Sequence, residues 1–356
     1  MFNSVKFIVY EDVTIREGLK RIDEDAKGII FVIDKDDKFL GTITDGDIRR
    51  WILKNGSMDS KVAEVMNSKS VFIFENDKQK AKEVMVEKFI TAVPILNNDR
   101  KVIDIIFLHD DVNDENSSEL ANNSVVIMAG GLGTRLYPYT KILPKSLIPI
   151  GDTPIVERII NKFAKYGAKD FYLTVNHKKN MIKSYFNELD TEYNISYVEE
   201  EKPLGTGGSL SLLKGKINDT FFVSNCDILI DAQYDDILKY HKQSGNKVTV
   251  VTSVKNFTIP YGVFKVNEEG CIIEIQEKPE HSYLANTGMY VLEPEVLNDI
   301  PTGEFYNLPD ILVNYMKDNI KVGIYPVGEQ SWMDMGQLSE MKDMVTRIEE
   351  KEKSIK

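Results

Sequence analysis

The sequence predicts an α/β protein with two domains, and three observations support this prediction. From Ser124 onward, short apolar runs alternate with amphipathic helical stretches, which is typical of a mostly parallel, Rossmann-like sheet covered by helices. The first part of the chain contains a degenerate repeat of about sixty residues, which predicts a small α+β pair. A chain of 356 residues is long enough for two domains with separate cores.

Each copy of the repeat is predicted to place a helix before two strands. The predicted elements are helix Thr14–Glu24 with strands Gly28–Ile33 and Lys38–Thr44, and helix Lys78–Glu87 with strands Ile90–Leu96 and Lys101–Phe107. A further helix is predicted over Asp47–Leu53, directly after the strands of the first copy. Two units this small would bury their apolar faces against each other.

The larger domain is predicted to alternate strands with helices. The strands are Val125–Met128, Phe171–Val175, Ile195–Val198, Phe221–Ser224 and Val248–Ser253, and the helices are Ile155–Tyr166, Asn180–Leu189, Gly208–Leu213 and Asp235–Gln243. The polar, acidic stretch from His109 to Ser124 has the composition of a linker. We therefore expect the repeat pair over 1–112, a linker over 113–123, the larger domain over 124–345 and a charged helical tail over 346–356.

Composition excludes several classes of partner. The net charge of −12 argues against nonspecific nucleic-acid binding. No apolar run approaches the roughly 18 residues of a membrane span. The only two cysteines, Cys226 and Cys271, form no Cys-x-x-Cys motif, which is compatible with a reducing compartment. We expect a cytoplasmic protein without nucleic-acid or membrane partners.

A glycine-rich loop follows the first strand of the larger domain. Three glycines come first and three cations follow closely: Gly130, Gly131, Gly133, Arg135, Lys141 and Lys145. Glycine allows backbone N–H groups to approach a phosphate, and cations pair with it, so the loop suits a triphosphate. Leu136 stands where a dinucleotide fingerprint needs its third glycine, and no Gly-Lys-Ser/Thr is present. Because prolines such as Pro138 and Pro144 oppose a helix directly after the glycines, we expect an extended loop.

The motif Gly-x-Gly-Thr-Arg-Leu-x-Pro-x-Thr, followed by Pro-Lys-x-Leu-x-Pro, resembles the signature of the sugar-1-phosphate nucleotidyltransferases. The resemblance extends from about Ser124 to about Met344. It implies that the triphosphate is held by Ala129, Gly130, Gly131, Gly133 and Thr134. It also implies a nucleobase loop around Gly205 and Thr206.

The nucleobase loop begins with three glutamates, Glu199, Glu200 and Glu201. Guanine presents two adjacent donors, which one carboxylate accepts, whereas a pyrimidine suits an amide better. A glutamate at 200 or 201 therefore favours GTP, and we place Glu200 in the site. The alternative is a solvated acidic patch.

The family resemblance assigns the remaining site residues. Asp227 and Asp334 match aspartates that hold Mg²⁺ on the phosphates, and Lys278 matches the lysine that meets the sugar phosphate. The sugar-binding positions are Tyr261, Gly262, Glu277, Asn286 and Gly288.

These residues imply a direct displacement. The sugar 1-phosphate oxygen attacks the α-phosphorus of the NTP, and pyrophosphate leaves. No general base is needed, because a phosphate monoester has its second pKa near ~6. In this scheme Arg135 stabilises the departing pyrophosphate, Lys145 neutralises the α-phosphate and Lys278 holds the nucleophile.

The stretch Gly41–Arg49 resembles the mark of cystathionine-β-synthase-type (CBS) repeats. In that family the residues matching Thr44 and Asp47 contact the phosphate and ribose of an adenine nucleotide. The second copy has Ile106 and His109 at these positions, so at most one cleft is competent. The alternative is a packing or dimerisation module without a ligand.

The combination of a CBS pair with this domain resembles the guanylyltransferases of bacterial surface-sugar pathways, including the glucosamine-1-phosphate enzymes of legionaminic acid synthesis. We expect guanylyl transfer from GTP to glucosamine 1-phosphate in a homo-oligomer. Mannose or heptose 1-phosphate, and UTP, dTTP or CTP as donor, stay open. The hypothesis of another class is a nucleotide-sensing regulatory subunit, which is disfavoured because Arg135, Lys145, Asp227 and Asp334 are all present.

Overall fold

The chain forms two compact units in a computed structural model. The structure describes residues 4–25, 28–81, 84–85, 88, 90, 92–107, 119–329 and 331–355. One unit comprises Met1–Asp114, Ser253–Ala285 and Pro326–Ser331, and the other comprises Glu115–Thr252, Asn286–Tyr325 and Trp332–Lys356. Most of the expected linker and four of the ten residues of the expected helix Lys78–Glu87 lie outside the described residues. The sequence-based domain limits stay a prediction.

The first unit contains two three-stranded sheets with the same design. Their strands are β1 (Ile8–Tyr10), β2 (Ile29–Ile33), β3 (Phe39–Thr44), β4 (Ile73–Phe74), β5 (Ala92–Leu96) and β6 (Val102–Phe107), in the orders β1-β2-β3 and β4-β5-β6. In each sheet the first pair of strands is parallel and the second pair is antiparallel. This shared arrangement agrees with the predicted repeat.

The first copy of the repeat also contains helices α1 (Ile15–Asp25) and α2 (Asp45–Leu53). Short 3-10 helices lie at Ser4–Phe7, Val62–Glu64 and Glu75–Lys80. Phe31 and Phe39 of the first copy share one apolar cluster with Leu96 and Phe107 of the second. The two copies therefore bury their apolar faces against each other, as the sequence predicts.

The remaining strands in chain order begin with the first strand of the second unit. They are β7 (Val125–Met128), β8 (Pro149–Ile150), β9 (Thr153–Pro154), β10 (Asp170–Val175), β11 (Asn194–Glu199), β12 (Phe221–Asn225), β13 (Ile228–Ile230), β14 (Val248–Thr258), β15 (Gly262–Val266), β16 (Ile272–Glu277), β17 (Glu280–Leu292), β18 (Val322–Val327) and β19 (Trp332–Asp334). The main sheet has the order β11-β10-β7-β12-β17-β14-β18.

The main sheet is mostly parallel, which confirms the predicted α/β class. Strands β11, β10, β7 and β12 run parallel, and β17 runs antiparallel to β12. The helices are α3 (Tyr139–Ile142), α4 (Ile155–Lys165), α5 (Lys179–Asn187), α6 (Gly205–Gly208), α7 (Tyr234–Ser244), α8 (Val296–Asp299), α9 (Leu308–Lys317) and α10 (Leu338–Ile355), with 3-10 turns at Thr134–Leu136, Lys145–Leu147 and Ser209–Leu213. Within the described residues, no helix is both long and apolar enough to cross a membrane.

Aromatic packing attaches helices to the main sheet. Phe163 of α4 packs edge-on against Phe222 of β12, with ring centroids 5.2 Å apart. Its ring also lies 4.4 Å from that of Tyr234, at the start of α7. All three side chains are fully buried, so they fix both helices on the sheet whose strand ends carry the candidate site.

The loop after β7 is not extended, so that expectation was wrong. It folds into three short helical turns, Thr134–Leu136, α3 and Lys145–Leu147. Pro138 and Pro144 stand immediately before two of these turns. Proline opposes the interior of a helix but is tolerated at its start, so here the prolines shorten helical structure rather than prevent it.

Candidate active site

The glycine loop depends on one close approach between backbone and side chains. Gly133 has a left-handed backbone with φ of 65°. A Cβ there would lie 2.8 Å from the Thr140 methyl carbon and 2.9 Å from the Lys145 Cβ. Only glycine lets the loop fold back on itself in this way. The side chains of Thr134 and Arg135, which follow directly, are exposed.

Lys178 holds the far end of the same loop. Its ammonium Nζ donates to the carbonyl oxygens of Thr140 and Lys141, each at 2.8 Å. The residue itself has a left-handed backbone with φ of 55°. Sequence reasoning missed Lys178, although it follows β10 at the strand ends where ligands of such sheets bind. It fixes the turn that lies between Arg135 and Lys145 in the chain.

Of the three consecutive glutamates, only Glu200 is buried. One of its carboxylate oxygens accepts the Leu204 N–H at 3.0 Å. The other lies 2.8 Å from where a Cβ on Gly130 would stand. Its backbone carbonyl accepts a hydrogen bond from the Asn176 side-chain amide at 3.0 Å. Burial raises the pKa of the Glu200 carboxyl.

The two neighbouring glutamates face solvent. Glu199 forms ion pairs with Lys179 and Lys183, and their hydrogen bonds lower its pKa to about 2. Glu201 is exposed. The solvated acidic patch considered from the sequence therefore describes these two residues, whereas Glu200 lies against the glycine loop.

The segment Gly205–Gly208 is tied to the residues before α9. Gly205 has φ of 76°, and a Cβ there would lie 2.7 Å from the carbonyl oxygen of Tyr306. The same carbonyl accepts the N–H groups of Gly207 and Gly208 at 2.8 and 2.9 Å. The Thr206 hydroxyl accepts the N–H of Leu308 at 3.0 Å. The predicted nucleobase loop is thus held in one conformation.

Asp227 and Asp334 are brought together by strand pairing. β13 and β19 are antiparallel with Ile228 opposite Asp334, and the Met335 N–H donates to the Asp227 carbonyl at 2.8 Å. Asp227 also forms an ion pair with Lys145. Burial, and then the negative charge of Asp227, raise the pKa of Asp334. The structure therefore places two acids and one cation in electrostatic contact.

These two carboxylates fit a divalent cation. Carboxylate oxygens are the ligands that hard divalent ions prefer, and such an ion would relieve the mutual repulsion of the pair. One Asp334 oxygen accepts the Gly336 N–H at 2.7 Å, which orients the side chain. No group of three or more acidic, histidine or cysteine side chains suited to a metal occurs in the part of the chain that the structure describes. Substrate phosphates would supply the remaining ligands.

Asn225 is a second residue that sequence reasoning missed. Gly288 has φ of 89°, and a Cβ there would overlap the side-chain amide of Asn225. The Gly288 N–H donates to the Asn286 side-chain oxygen at 3.0 Å, and the Asn286 amide nitrogen donates to the Tyr290 hydroxyl at 2.7 Å. Asn225 ends β12 two residues before Asp227, so this packing fixes the strand end that carries the acid.

The other predicted sugar-binding residues lie in the first unit. Gly262 is paired with Glu277 across β15 and β16, and the Lys278 N–H donates to the Tyr261 carbonyl at 3.2 Å. Lys278 has φ of 47°, and the Tyr261 side chain is exposed. Strand pairing thus groups these four residues, whereas Asn286 and Gly288 belong to the unit with the glycine loop.

Thr44 and Asp47 form a capping box at the start of α2. The Thr44 hydroxyl and N–H donate to the Asp47 carboxylate at 2.6 and 2.8 Å, and the Asp47 N–H donates to the Thr44 hydroxyl at 3.3 Å. Asp47 also forms an ion pair with Arg50. The two side chains therefore stabilise the helix start. The predicted nucleotide cleft at this point stays a prediction.

The fold and the loop at its strand ends define a nucleotide-binding α/β protein. Residues 124–351 match the family model described as Nucleotidyl transferase, and residues 4–54 match the model described as CBS domain. The chain belongs to the Nucleotidyl transferase family, with a CBS domain at its N-terminal side. The predicted family is thereby confirmed.

Curated relatives match the same part of the chain. The chain is 33% identical over 225 residues to a mannose-1-phosphate guanyltransferase of Aspergillus oryzae. The matched region covers 60% of each protein. The chain is 34% identical over 231 residues to the bifunctional protein GlmU of Methanococcus aeolicus, covering 63% of this chain and 54% of that protein. The chain spans about three fifths or less of the length of these relatives.

Solved structures share the fold. HddC from Yersinia pseudotuberculosis superposes with a TM-score of 0.50 at 20% sequence identity, covering 64% of this chain and 99% of that one. At this identity the likeness concerns the fold alone.

Proposed function

We propose that this protein transfers a guanylyl group from GTP to a sugar 1-phosphate, giving a GDP-sugar and pyrophosphate. The family assignment supports nucleotidyl transfer. The name of the Aspergillus oryzae relative, a mannose-1-phosphate guanyltransferase, supports both a guanylyl donor and a hexose 1-phosphate acceptor. We retain glucosamine 1-phosphate as the first acceptor to test and mannose 1-phosphate as the second.

The position of Glu200 is the observation that carries the choice of GTP. Its carboxylate lies against Gly130, at the start of the loop that suits a triphosphate. The N–H of Leu204 engages one oxygen and orients the group. An ionised carboxylate accepts the N1–H and the exocyclic amine of guanine together, and no other common base offers that pair of donors.

The proposed reaction needs alignment and charge neutralisation. An oxygen of the sugar 1-phosphate forms a bond to the α-phosphorus of GTP, and the bond from that phosphorus to the bridging oxygen of pyrophosphate breaks. The nucleophile is already ionised at neutral pH, so no proton has to be removed. Arg135 stabilises the charge on the leaving pyrophosphate, Lys145 the charge around the α-phosphate, and Lys278 holds the nucleophile.

Asp227 and Asp334 would hold a divalent cation, which we propose to be Mg²⁺. Enzymes of this family generally use a divalent metal. When bound, the ion supplies positive charge to the phosphates. Lys145 already pairs with Asp227, so the lysine holds the carboxylate in place before the phosphates arrive. The fit of two repelling carboxylates to such an ion supports this assignment.

For the CBS part we propose at most one adenine-nucleotide cleft, at Thr44 and Asp47. The support is that the CBS model matches only the first copy, over residues 4–54. The capping box favours the alternative, a structural role for the same residues. Adding AMP or ATP to the pyrophosphate-release assay separates the cleft from the structural role, because only a ligand site changes the rate.

The two unpaired cysteines support a reducing, cytoplasmic location.

The direct test is pyrophosphate release measured with GTP, ATP, UTP, CTP and dTTP against a panel of sugar 1-phosphates. We expect GTP to be the preferred donor, with glucosamine or mannose 1-phosphate as acceptor. A preference for UTP or dTTP would contradict the role of Glu200. No release with any pair, together with nucleotide binding, would support the alternative of a regulatory subunit.

A further inference from the structure

Residues 257–284 form an antiparallel ribbon that sequence analysis did not single out. It begins at the end of β14 and the start of β17, and the hairpin of β15 and β16 closes it. An isolated two-stranded ribbon is only marginally stable in water, so its orientation depends on what holds its base. The ribbon carries four of the predicted sugar-binding residues: Tyr261, Gly262, Glu277 and Lys278.

The base of the ribbon is buried in the core of the first CBS copy. Val254 of β14 is 3% exposed and belongs to the same apolar cluster as Ile22 of α1 and Ile48 of α2. Three positions further along the chain, the Phe257 side chain is 57% exposed. The apolar contact that removes this strand from water therefore lies at the base of the ribbon, where it can fix the direction of the strand.

Helix α2 holds the strand beside that base. β18 lies next to β14 at the edge of its sheet, where backbone carbonyls on one side have no neighbouring strand. Arg49 of α2 donates through its Nε to the Pro326 carbonyl of β18 at 3.3 Å, and both residues belong to the first unit. Asp45, one turn earlier on α2, forms an ion pair with the same guanidinium and so orients it.

Helix α1 contacts the residues that follow β18. A Cβ on Gly328 would lie 1.8 Å from a carboxylate oxygen of Asp23 on α1, so this approach requires glycine. The Gly328 carbonyl accepts the hydroxyl of Ser253, the β14 residue before the buried valine, at 3.4 Å. Glu329 forms an ion pair with Lys255 of β14 at 3.4 Å. This short segment therefore links both CBS helices to the base of the ribbon.

We propose that the first CBS copy is a platform for the ribbon, in which Arg49 and Asp23 are positioning residues for binding of the sugar 1-phosphate. The inference rests on the proposed function, which assigns the sugar 1-phosphate to residues of the ribbon. The contacts act through packing and hydrogen bonding within the protein itself. They therefore position the ribbon whether or not an adenine nucleotide binds to the CBS copy.

The length of the ribbon makes its base important. Tyr261, which pairs with Lys278, lies seven positions after Val254, which is up to about 23 Å in extended chain. A tilt of about 5° at the base would move that end by about 2 Å, and a misplacement of about 1 Å can cost about 100-fold in rate. Loss of a contact at the base is thus expected to weaken sugar 1-phosphate binding.

The first test is steady-state kinetics of the full chain with GTP and the sugar 1-phosphate that it uses fastest. Arg49→Met removes the donor to the Pro326 carbonyl, so we expect the KM for the sugar 1-phosphate to rise by about 10-fold. We expect the KM for GTP to stay within about twofold. Arg49→Lys keeps a donor and should restore part of the loss. Gly328→Ala forces the Asp23 side chain away and should raise the same KM by a smaller factor.

The matched control is Arg50→Met, at the next position of α2, where the guanidinium pairs with Asp47 of the same helix. We expect this variant to keep both KM values of wild type. Hydrogen exchange measured by mass spectrometry adds a readout that needs no turnover. We expect amides of residues 257–284 to exchange at least about threefold faster in Arg49→Met than in wild type or Arg50→Met.

An active Arg49→Met with an unchanged KM for the sugar 1-phosphate would overturn the proposal. So would an equal rise in the KM for GTP, or exchange over residues 257–284 that equals that of wild type. Absence of transfer by wild type with every pair of substrates would instead refute the proposed function, and the exchange measurement would still decide whether α2 holds the ribbon.

Discussion

The glycine loop and the ribbon of residues 257–284 are held in opposite ways. Around the loop, Lys178 engages backbone carbonyls that are distant in sequence, the Glu200 carboxylate lies against Gly130, and the glycines allow close contact. The ribbon relies on backbone pairing between its own strands and leaves its apolar side chains exposed. Tight packing suits a site that must align two polyanions, whereas the ribbon depends on the contacts that hold its base.

The largest effect that distinguishes the two regions is expected at the acidic pair. Asp227→Asn removes the partner of Lys145 and one of two carboxylates, so we expect pyrophosphate release to fall by about 1,000-fold or more. We expect pyrophosphate release by Arg135→Ala to fall to a similar degree, because the departing pyrophosphate loses its counter-charge. Thermal unfolding checks that both variants stay folded.

Asp231→Asn is the matched control for the acidic pair. Asp231 also pairs with a lysine, Lys162, but has no role in the proposed chemistry. We expect it to retain activity. Near-normal release from Asp227→Asn or Arg135→Ala would contradict the proposed roles.

The next effect compares two glycines with similar backbones, Gly288 at the candidate site and Gly270 in the ribbon. Gly288→Ala adds a Cβ that overlaps the Asn225 amide, so we expect the free energy of unfolding to fall by about 2 to 4 kcal/mol and activity to fall with it. Gly270→Ala, in the hairpin turn, has φ of 81° but no atom near its added Cβ. We expect it to cost about 1 kcal/mol and to leave activity intact. Denaturant unfolding and pyrophosphate release measure both, and equal losses at the two sites would show that the contact with Asn225 is unimportant.

Lys178→Met is expected to lower kcat/KM by about 10- to 100-fold, mainly through a higher KM for GTP, because the loop carrying Arg135 loses its anchor. Lys178→Arg should restore part of the loss, since it still donates to two carbonyls. Lys179→Met is the control, because that neighbouring lysine pairs only with the solvated Glu199 among the contacts described above. An unchanged KM in Lys178→Met would remove the anchoring role.

The smallest effect is a pH dependence at Glu200. Burial raises the pKa of its carboxyl, so the folded protein binds the proton more tightly than the unfolded chain. The ionised carboxylate of Glu200 therefore lowers the stability of the folded protein at neutral pH. This loss of stability shrinks as the pH falls through the raised pKa toward 4.5, the ordinary value for a glutamate. We expect Glu200→Gln to be at least as stable as wild type at pH 7, with the difference shrinking on acidification. Unfolding titrations between pH 4.5 and 7 measure it, and a difference that grows in acid would contradict the assignment.

The sequence predicted those features that depend on local pattern. β7 matches its predicted limits, Val125–Met128, because a short apolar run bounded by glycine has few other interpretations. The mostly parallel sheet followed from the alternation of strands and helices. The glycine loop was predicted as a feature, but its helical turns were not, because proline restricts where a helix starts and not whether a single turn forms.

Features that depend on tertiary contacts were out of reach. Nothing local distinguishes Glu200 from Glu199 and Glu201, since its burial depends on Gly130, seventy positions earlier in the chain. Lys178 was missed because its partners are backbone carbonyls, which carry no residue signature. The alternation in β15 reads as an ordinary half-buried strand, and only the structure shows that its apolar face is exposed.

The central claim is that the carboxylate of Glu200 accepts hydrogen bonds from both donors of guanine, the N1–H and the exocyclic amine. The most direct measurement is the dissociation constant of GTP against that of ITP, whose base lacks the exocyclic amine, for wild type, Glu200→Gln and Glu201→Gln. We predict that wild type and Glu201→Gln bind GTP about 10-fold more tightly than ITP, and that Glu200→Gln binds the two equally. Equal binding by wild type, or a preference for GTP that survives in Glu200→Gln, would contradict the account.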